Sequence, residues 1–165
     1  MALIREGQLV DDPWTAVADD ESLPDGPAVV SLARWTTERE SLRGHNHPLG
    51  IRLASSEAPD AIADDLGRFG LVCLEFPKFQ DGRAYSYARK LRQRYGFKGE
   101  LRAVGNVLRD QFLFMHRCGF DAFEVVDAGA AEAWKRALSE ISVVYQPAAD
   151  GRRPAMAMRE TGARR

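Results

Sequence analysis

The chain has 165 residues, a length that suits one domain with a buried hydrophobic core. Its residues are 45% hydrophobic and 28% charged, as in an ordinary soluble globular protein. The formal net charge of −1 excludes a global positive field that would draw the protein to nucleic acid or to a membrane surface.

Residues 1–26 form a leader that is less regular than the rest of the chain. Its first part, LIREGQLV, has alternating apolar residues on both sides of Glu6-Gly7 and predicts a short hairpin. An acidic, irregular segment follows from Asp11 to Asp25. We expect the large side chain of Trp14 in this segment to be pinned to the body of the protein.

A regular alternation of strands and helices then predicts one domain over residues 27–148. Runs rich in Val and Leu predict five strands, at 28–35, 50–55, 71–76, 100–104 and 122–126. The predicted helix starts are a capping box at Thr37–Glu40, Asp60 or a neighbour, Asp81, the turn Gly105-Asn106, and Asp127. Residues 149–165 show no periodicity and predict a flexible basic tail.

This alternation predicts an α/β fold with about five mostly parallel strands joined by crossover helices. Periodicity does not supply the order of the strands. Two architectures therefore stay open, an open flavodoxin-like sheet and a partial (βα) barrel.

Nearly every predicted strand carries one charged residue in its later half, where buried parallel strands are usually apolar throughout. These residues are Arg34, Arg52, Glu75, Arg102 and Glu124. One interpretation is a polar pocket at the carboxyl ends of the strands, where parallel α/β folds bind ligands. The other is that the charges pair across the sheet or reach solvent, because unpaired buried charges are costly.

The helix predicted over residues 107–118 starts close to that same edge of the sheet. Arg102 and Arg109 could hold an oxyanion there, with Asn106, Asp110 and Gln111 beside them at the helix N-terminus. A simpler interpretation makes Arg109 a surface residue and Gln111 a packing residue. Both interpretations stay open.

The loop before the preceding helix offers a second polar group at the same edge. Asp81, Arg83 and Ser86 lie at the start of a strongly basic helix and suit either anion binding or contact with a partner. A capped helix with solvated arginines is the alternative.

The sequence holds no recognisable cofactor, metal or targeting motif. Cys73 and Cys118 have no metal or redox spacing, and neither a glycine-rich nucleotide loop nor a nucleophile elbow is present. Met1 is not followed by a signal peptide, and no apolar run approaches the length of a membrane span. We therefore predict a cytoplasmic protein with reduced thiols.

The run FPKFQDGRAYSYARKLRQRYGFKGELRAVGNVLRDQFLFMHRCGFDAFEV closely resembles the core of a bacterial family, domain of unknown function 934 (DUF934). VDDPW and AVVSLARW resemble earlier segments of that family, so the resemblance covers most of the chain except the tail. Ala84 and Asn106 depart from its usual Gly and Asp. The resemblance implies a link to assimilatory sulfite and sulfate reduction, because members are typically encoded beside those genes and are often labelled putative oxidoreductases.

Two hypotheses about function follow. The first is an accessory protein of sulfite assimilation, which binds an oxyanion or docks on sulfite reductase or another sulfate-assimilation protein. The second is a small enzyme, in which Asp110 or Glu75 is the general base and arginines hold an anionic substrate. Two cysteines cannot supply the four thiolates of an iron–sulfur cluster, which excludes an independent sulfite reductase.

Overall fold

The computed structural model of the protein describes residues 2–126 and 129–162, and within them eight strands form one sheet. The strands are β1 (Ala2–Arg5), β2 (Gln8–Val10), β3 (Thr15–Ala16), β4 (Ala28–Ser31), β5 (Leu49–Leu53), β6 (Phe69–Phe76), β7 (Glu100–Gly105) and β8 (Ala122–Val125). Their order across the sheet is β2-β1-β8-β7-β6-β5-β4-β3. The ladders from β3 to β8 are parallel, whereas β1 pairs antiparallel with both β2 and β8.

The helical segments are of several kinds. They are α1 (Leu32–Thr37), α2 (Arg39–Arg43), α3 (Arg83–Arg89), α4 (Phe112–Cys118), α5 (Ala130–Glu140) and α6 (Ala155–Gly162). Two further segments are 3₁₀-helical, Pro59–Arg68 and Arg109–Gln111, and α3 continues into a π-helical turn at Lys90–Arg94. In the part of the chain that the structure describes, no helix has the length and apolarity to cross a membrane.

The strand order decides between the two predicted architectures. From β4 to β8, strands that are consecutive in the chain are also neighbours in the sheet. Because parallel crossovers are right-handed, such an order places every connecting helix on the same face. The sheet therefore curls into a half-barrel with an outer layer of helices, and the α/β prediction is confirmed in its partial-barrel form.

The two faces of the sheet carry cores of different size. Outward-facing strand residues and the helices form the larger cluster, which includes Trp35, Phe112 and Trp134. On the concave face, a small cluster lies under the partly buried ring of Trp14; its members are Val29, Leu71, Cys73 and Val104. The concave face thus carries a much smaller core than the outer face.

The leader is part of this sheet and not a separate appendage. The hairpin predicted at Glu6-Gly7 is confirmed as β1 and β2, with both turn residues at positive φ. β1 adds to the free edge of β8, and β3 adds to β4. Trp14 is pinned to the concave face, as expected. The boundaries drawn at residues 26 and 148 stay a prediction.

Two predictions near the end of β4 are wrong. The strand ends at Ser31, because the Ser31 hydroxyl accepts a hydrogen bond from the Arg34 N–H at 3.0 Å and so begins α1. Arg34 is therefore a buried helical residue and not a strand-end charge. The expected capping box fails as well, since the Thr37 hydroxyl donates back to the Ala33 carbonyl.

Other helix boundaries also shift. The helix expected over residues 107–118 is a 3₁₀ turn followed by α4, and Gly119 ends α4 in the left-handed region. Ala155–Gly162 is helical, where the sequence predicts no regular structure. The predicted cap at Asp127 lies outside the described residues.

Candidate functional site

The larger candidate site is a cavity of about 540 Å³ at the carboxyl ends of β7 and β8. We call it the β7–β8 cavity. Asn106 and Arg109 line it from the segment after β7, and Arg136 lines it from α5. Phe112 and Val125 supply apolar wall. Its volume is in the range of small-molecule sites.

A tight turn at Gly105 gives the cavity its shape. Gly105 has a φ of 88°, and a Cβ atom there would lie 2.7 Å from the Phe76 carbonyl oxygen. The Asn106 N–H donates to that same carbonyl at 2.7 Å. Only glycine fits this close approach in the left-handed region. The turn directs Asn106 and Arg109 away from the strand and over its end.

Among the described lining residues of this cavity, the charged side chains are basic. The Arg109 guanidinium lies 3.1 Å from the Glu140 carboxylate, and both side chains are more than half exposed. Arg136 forms no ion pair with any described residue. Among the described lining residues there is no carboxylate. The cavity is therefore suited to an anion.

Four of the five predicted strand charges lie on the concave face of the half-barrel, as the register shows. Arg52 pairs with Cys73, Cys73 with Arg102, and Arg102 with Ala122 in adjacent strands. Glu75 and Glu124 lie two residues further along their strands and so share this face. These four residues therefore face the same interior, while Arg34 lies outside it in α1.

Arg102 is a structural residue on that face. It donates to both carboxylate oxygens of Asp12, at 2.6 and 3.0 Å, and to Glu100 at 2.8 Å. Its side chain is only 3% exposed. Burial by itself favours the neutral guanidine, but the contacts with Asp12 and Glu100 outweigh it and raise the pKa of Arg102. The guanidinium has little capacity left for a ligand.

Arg102 and Arg109 consequently do not form one pocket. Arg102 faces the concave side near the start of β7, whereas Arg109 lies beyond the end of the strand and contacts α5. Asp110 is exposed next to Arg109, and the buried side-chain oxygen of Gln111 has no hydrogen-bond partner among the described residues. Neither residue lines the β7–β8 cavity.

A second cavity of about 410 Å³ lies on the concave face at the carboxyl ends of β4, β5 and β6. We call it the β4–β6 cavity. Arg52 and Glu75 line it and form an ion pair, with Nη2 and Oε1 3.3 Å apart. Glu57 and Ser31 also line it. The strand-end charges thus both pair with each other and border a cavity.

The polar side chains predicted to bind an anion or a partner before α3 mostly form hydrogen bonds within the chain. Asp81 accepts hydrogen bonds from the side chain and from the N–H of Arg83, and Arg83 also donates to Ser55 at 2.9 Å. The Arg83 contact holds the pKa of the Asp81 carboxyl below its usual range. Ser86 lies elsewhere, on a small cavity beside Cys118.

Most of the basic surface along α3 is also paired internally. Lys90 lies 2.6 Å from Asp60. Arg92 donates to three backbone carbonyls and, at 2.7 Å, to the Asp121 carboxylate. With Arg83 already paired, the free positive charge of this surface is much smaller than the sequence indicates.

Sequence reasoning missed two residues that matter for these sites. Arg136 lies three residues after the lining residue Ala133, and the hydrophobic pattern of its helix marks only the buried face. Asp12, the partner of Arg102, lies 90 residues away in the chain. Its run VDDPW gives no signal for such a contact.

The strand order, the single layer of helices and the cavities at the strand ends define an α/β half-barrel protein. Residues 50–156, more than half of the chain, match the family described as bacterial protein of unknown function (DUF934), so the protein belongs to that family. The match begins within β5 and ends within α6, and it includes Arg52, Glu75 and Arg109. No curated protein matches the chain.

Proposed function

We propose that the protein binds a small anionic compound in the β7–β8 cavity and acts as an accessory protein of assimilatory sulfite or sulfate reduction. The observation that carries the binding is the cavity itself, whose charged described residues are Arg109 and Arg136. The link to sulfite reduction rests on the resemblance to a family whose members are typically encoded beside those genes.

The chemistry of the lining supports an oxyanion. A guanidinium group binds carboxylate, phosphate or sulfur oxyanions through parallel N–H···O hydrogen bonds. The Asn106 side-chain amide supplies further donors beside Arg109. The exposed Arg109–Glu140 pair contributes little to stability, so Arg109 can exchange this partner for a ligand at small cost.

The apolar wall extends the range of suitable ligands. Phe112 and Val125 border the cavity, and its volume of about 540 Å³ leaves room for an organic group attached to the anionic one. A bare sulfite ion fills only a small part of this space. We therefore expect both inorganic oxyanions and small organic anions to bind.

The two other hypotheses have less support in the geometry. Docking on a partner through α3 is less favoured, because Arg83, Lys90 and Arg92 form ion pairs within the chain. Catalysis by Asp110 lacks a surrounding cavity, since Asp110 is exposed and lines neither cavity. Glu75 lies in the other cavity, away from Arg109.

Isothermal titration calorimetry with sulfite and sulfate at low ionic strength tests the binding. We expect Arg136→Ala and Arg109→Ala each to weaken binding about tenfold, because each removes a charge-assisted contact. Lys98→Ala is the matched control: it also removes one exposed positive charge, but from the opposite end of β7. Equal affinity of all variants, or no binding by the wild type, contradicts the proposal.

Growth measurements test the pathway separately. We expect a strain lacking the protein to grow normally on cysteine and slowly on sulfate as the source of sulfur. Complementation with the wild type should restore growth on sulfate, whereas complementation with Arg136→Ala should not. If the deleted strain grows equally on both sources, the role in sulfate assimilation is wrong even where the anion binds.

A further inference from the structure

The β4–β6 cavity combines opposite charges with an aliphatic wall. Arg52 projects into it from β5 and Glu75 from the adjacent β6, on the concave face of the sheet. Ala16, which pairs with Val29 in the adjacent strand, and Val29 itself form the aliphatic wall beside them. The cavity is separate from the β7–β8 cavity, since the two share no lining residue.

Both charged groups have unused hydrogen-bonding capacity. The Arg52–Glu75 contact at 3.3 Å is the only ion pair that either residue forms with described residues. A guanidinium has five N–H donors and a carboxylate about four acceptor sites, so most of each group remains available. Their side chains are 46% and 31% exposed, which leaves them accessible to a ligand.

A second carboxylate borders the same space. One oxygen of Glu57 accepts the Ala54 N–H at 2.8 Å, which fixes the side chain at the end of β5. Its other oxygen forms no hydrogen bond with a described residue. The cavity thus offers one guanidinium to a carboxylate and two carboxylates to an ammonium group.

We propose that the β4–β6 cavity binds an α-amino acid with an aliphatic side chain. The ligand carboxylate pairs with the Arg52 fork, and the ligand ammonium donates to Glu75 and Glu57. The side chain of the ligand packs against Ala16 and Val29. A zwitterion satisfies both partners of the Arg52–Glu75 pair at once, whereas an anion or an amine alone leaves one charge of the pair without its partner.

The size of the cavity agrees with this ligand class. At about 410 Å³ it lies at the lower end of small-molecule sites. The inference does not depend on the proposed anion site, because it uses other residues on another face of the sheet.

Calorimetry with three zwitterions, L-alanine, L-valine and L-leucine, tests the proposal on the full chain. L-Leucine has two matched analogues, 4-methylpentanoate without the amine and 3-methylbutylamine without the carboxylate. We expect L-leucine to bind about tenfold more tightly than either analogue. The Arg52→Ala variant should bind L-leucine and 3-methylbutylamine with equal affinity. In the Glu75→Gln variant, the difference in affinity between L-leucine and 4-methylpentanoate should be much smaller than in the wild type.

Arg5→Ala is the control variant. Arg5 is 49% exposed, pairs with Glu100 on the same concave face and lies outside the cavity, so L-leucine binding should not change. The proposal is overturned if the wild type binds none of the three amino acids at millimolar concentration. It is also overturned if L-leucine and its two analogues bind equally, or if Arg5→Ala weakens binding as much as Arg52→Ala.

Discussion

At the scale of single residues, Asp65 is a buried charge that lies outside the two cavities. Its side chain is 2% exposed and accepts hydrogen bonds from Arg39 and Arg43, two residues of α2. Burial by itself would raise the pKa of Asp65, but the hydrogen bonds from Arg43 and Arg39 outweigh burial and lower it. The ionised carboxylate therefore ties the 3₁₀ segment Pro59–Arg68 to α2.

Replacing this carboxylate should lower stability in a pH-dependent way. We expect Asp65→Asn to lower the free energy of unfolding by about 1–2 kcal/mol near pH 7, since both guanidinium groups are nearly half exposed. In the wild type this contribution is present above the unfolded-state pKa of about 4 and is lost as the pH falls toward the lower folded-state value. Urea unfolding at several pH values measures both effects.

The neighbouring residue provides the control. Asp64 is exposed and forms no hydrogen bond or ion pair with a described residue, so Asp64→Asn should leave stability nearly unchanged. If Asp65→Asn and the wild type lose stability in parallel below about pH 4, the assigned role of the carboxylate is wrong.

Individual residues also show how far the sequence alone can predict a site. The sequence pattern locates Arg52, Glu75 and Arg102 within strands, but that they share one face follows only from the register of the ladders in the structure. It fails for Arg34, where the Ser31 hydroxyl ends the strand earlier than its apolar run does. A local hydrogen bond of this kind has no signal in the hydrophobic pattern.

At the scale of elements, the strands are predicted more accurately than the helices. Each predicted strand overlaps an observed one, since buried parallel strands are marked by apolar runs that few other segments share. Helix starts depend on side-chain contacts that form only in the folded protein. The cap expected at Thr37 is not used, because α2 begins at Arg39. The cap expected at Asp60 or a neighbour is not formed either, because the 3₁₀ segment begins at Pro59 and its N-cap, Ala58, makes no side-chain hydrogen bond.

The hairpin of β1 and β2 provides a test at this scale. Ile4 is completely buried in the large core, whereas Leu9 on the partner strand is 47% exposed. We expect Ile4→Ala to cost about 2–5 kcal/mol and Leu9→Ala less than about 0.5 kcal/mol. Chemical denaturation of both variants measures the difference. Similar small losses would mean that the leader adds to β8 without being part of the cooperative fold.

At the scale of the whole molecule, no helix of the described residues covers the concave face of the half-barrel, and the leader covers part of it. Trp14 packs on the small cluster that contains Cys73, and the Asp12 N-terminal to it binds Arg102. The sequence predicts that Trp14 is pinned but not what pins it, because the Asp12–Arg102 pair joins residues 90 positions apart. Such pairs depend on the order and curl of the strands, which periodicity does not supply.

If the contact between Asp12 and Arg102 holds the leader on the concave face, breaking it should expose Cys73 on that face. Asp12→Asn leaves the buried Arg102 with Glu100 alone, and we expect it to weaken the attachment of the leader by about 2 kcal/mol. Cys73 is 4% exposed, and burial raises the pKa of its thiol to about 12, so alkylation in the wild type requires local opening. Asp12→Asn should therefore speed alkylation of Cys73 about thirtyfold, as measured by mass spectrometry of its peptide.

Asp11→Asn, which changes an exposed neighbour, should match the wild-type rate. Equal rates in the two variants would show that Trp14 holds the leader in place without the ion pair.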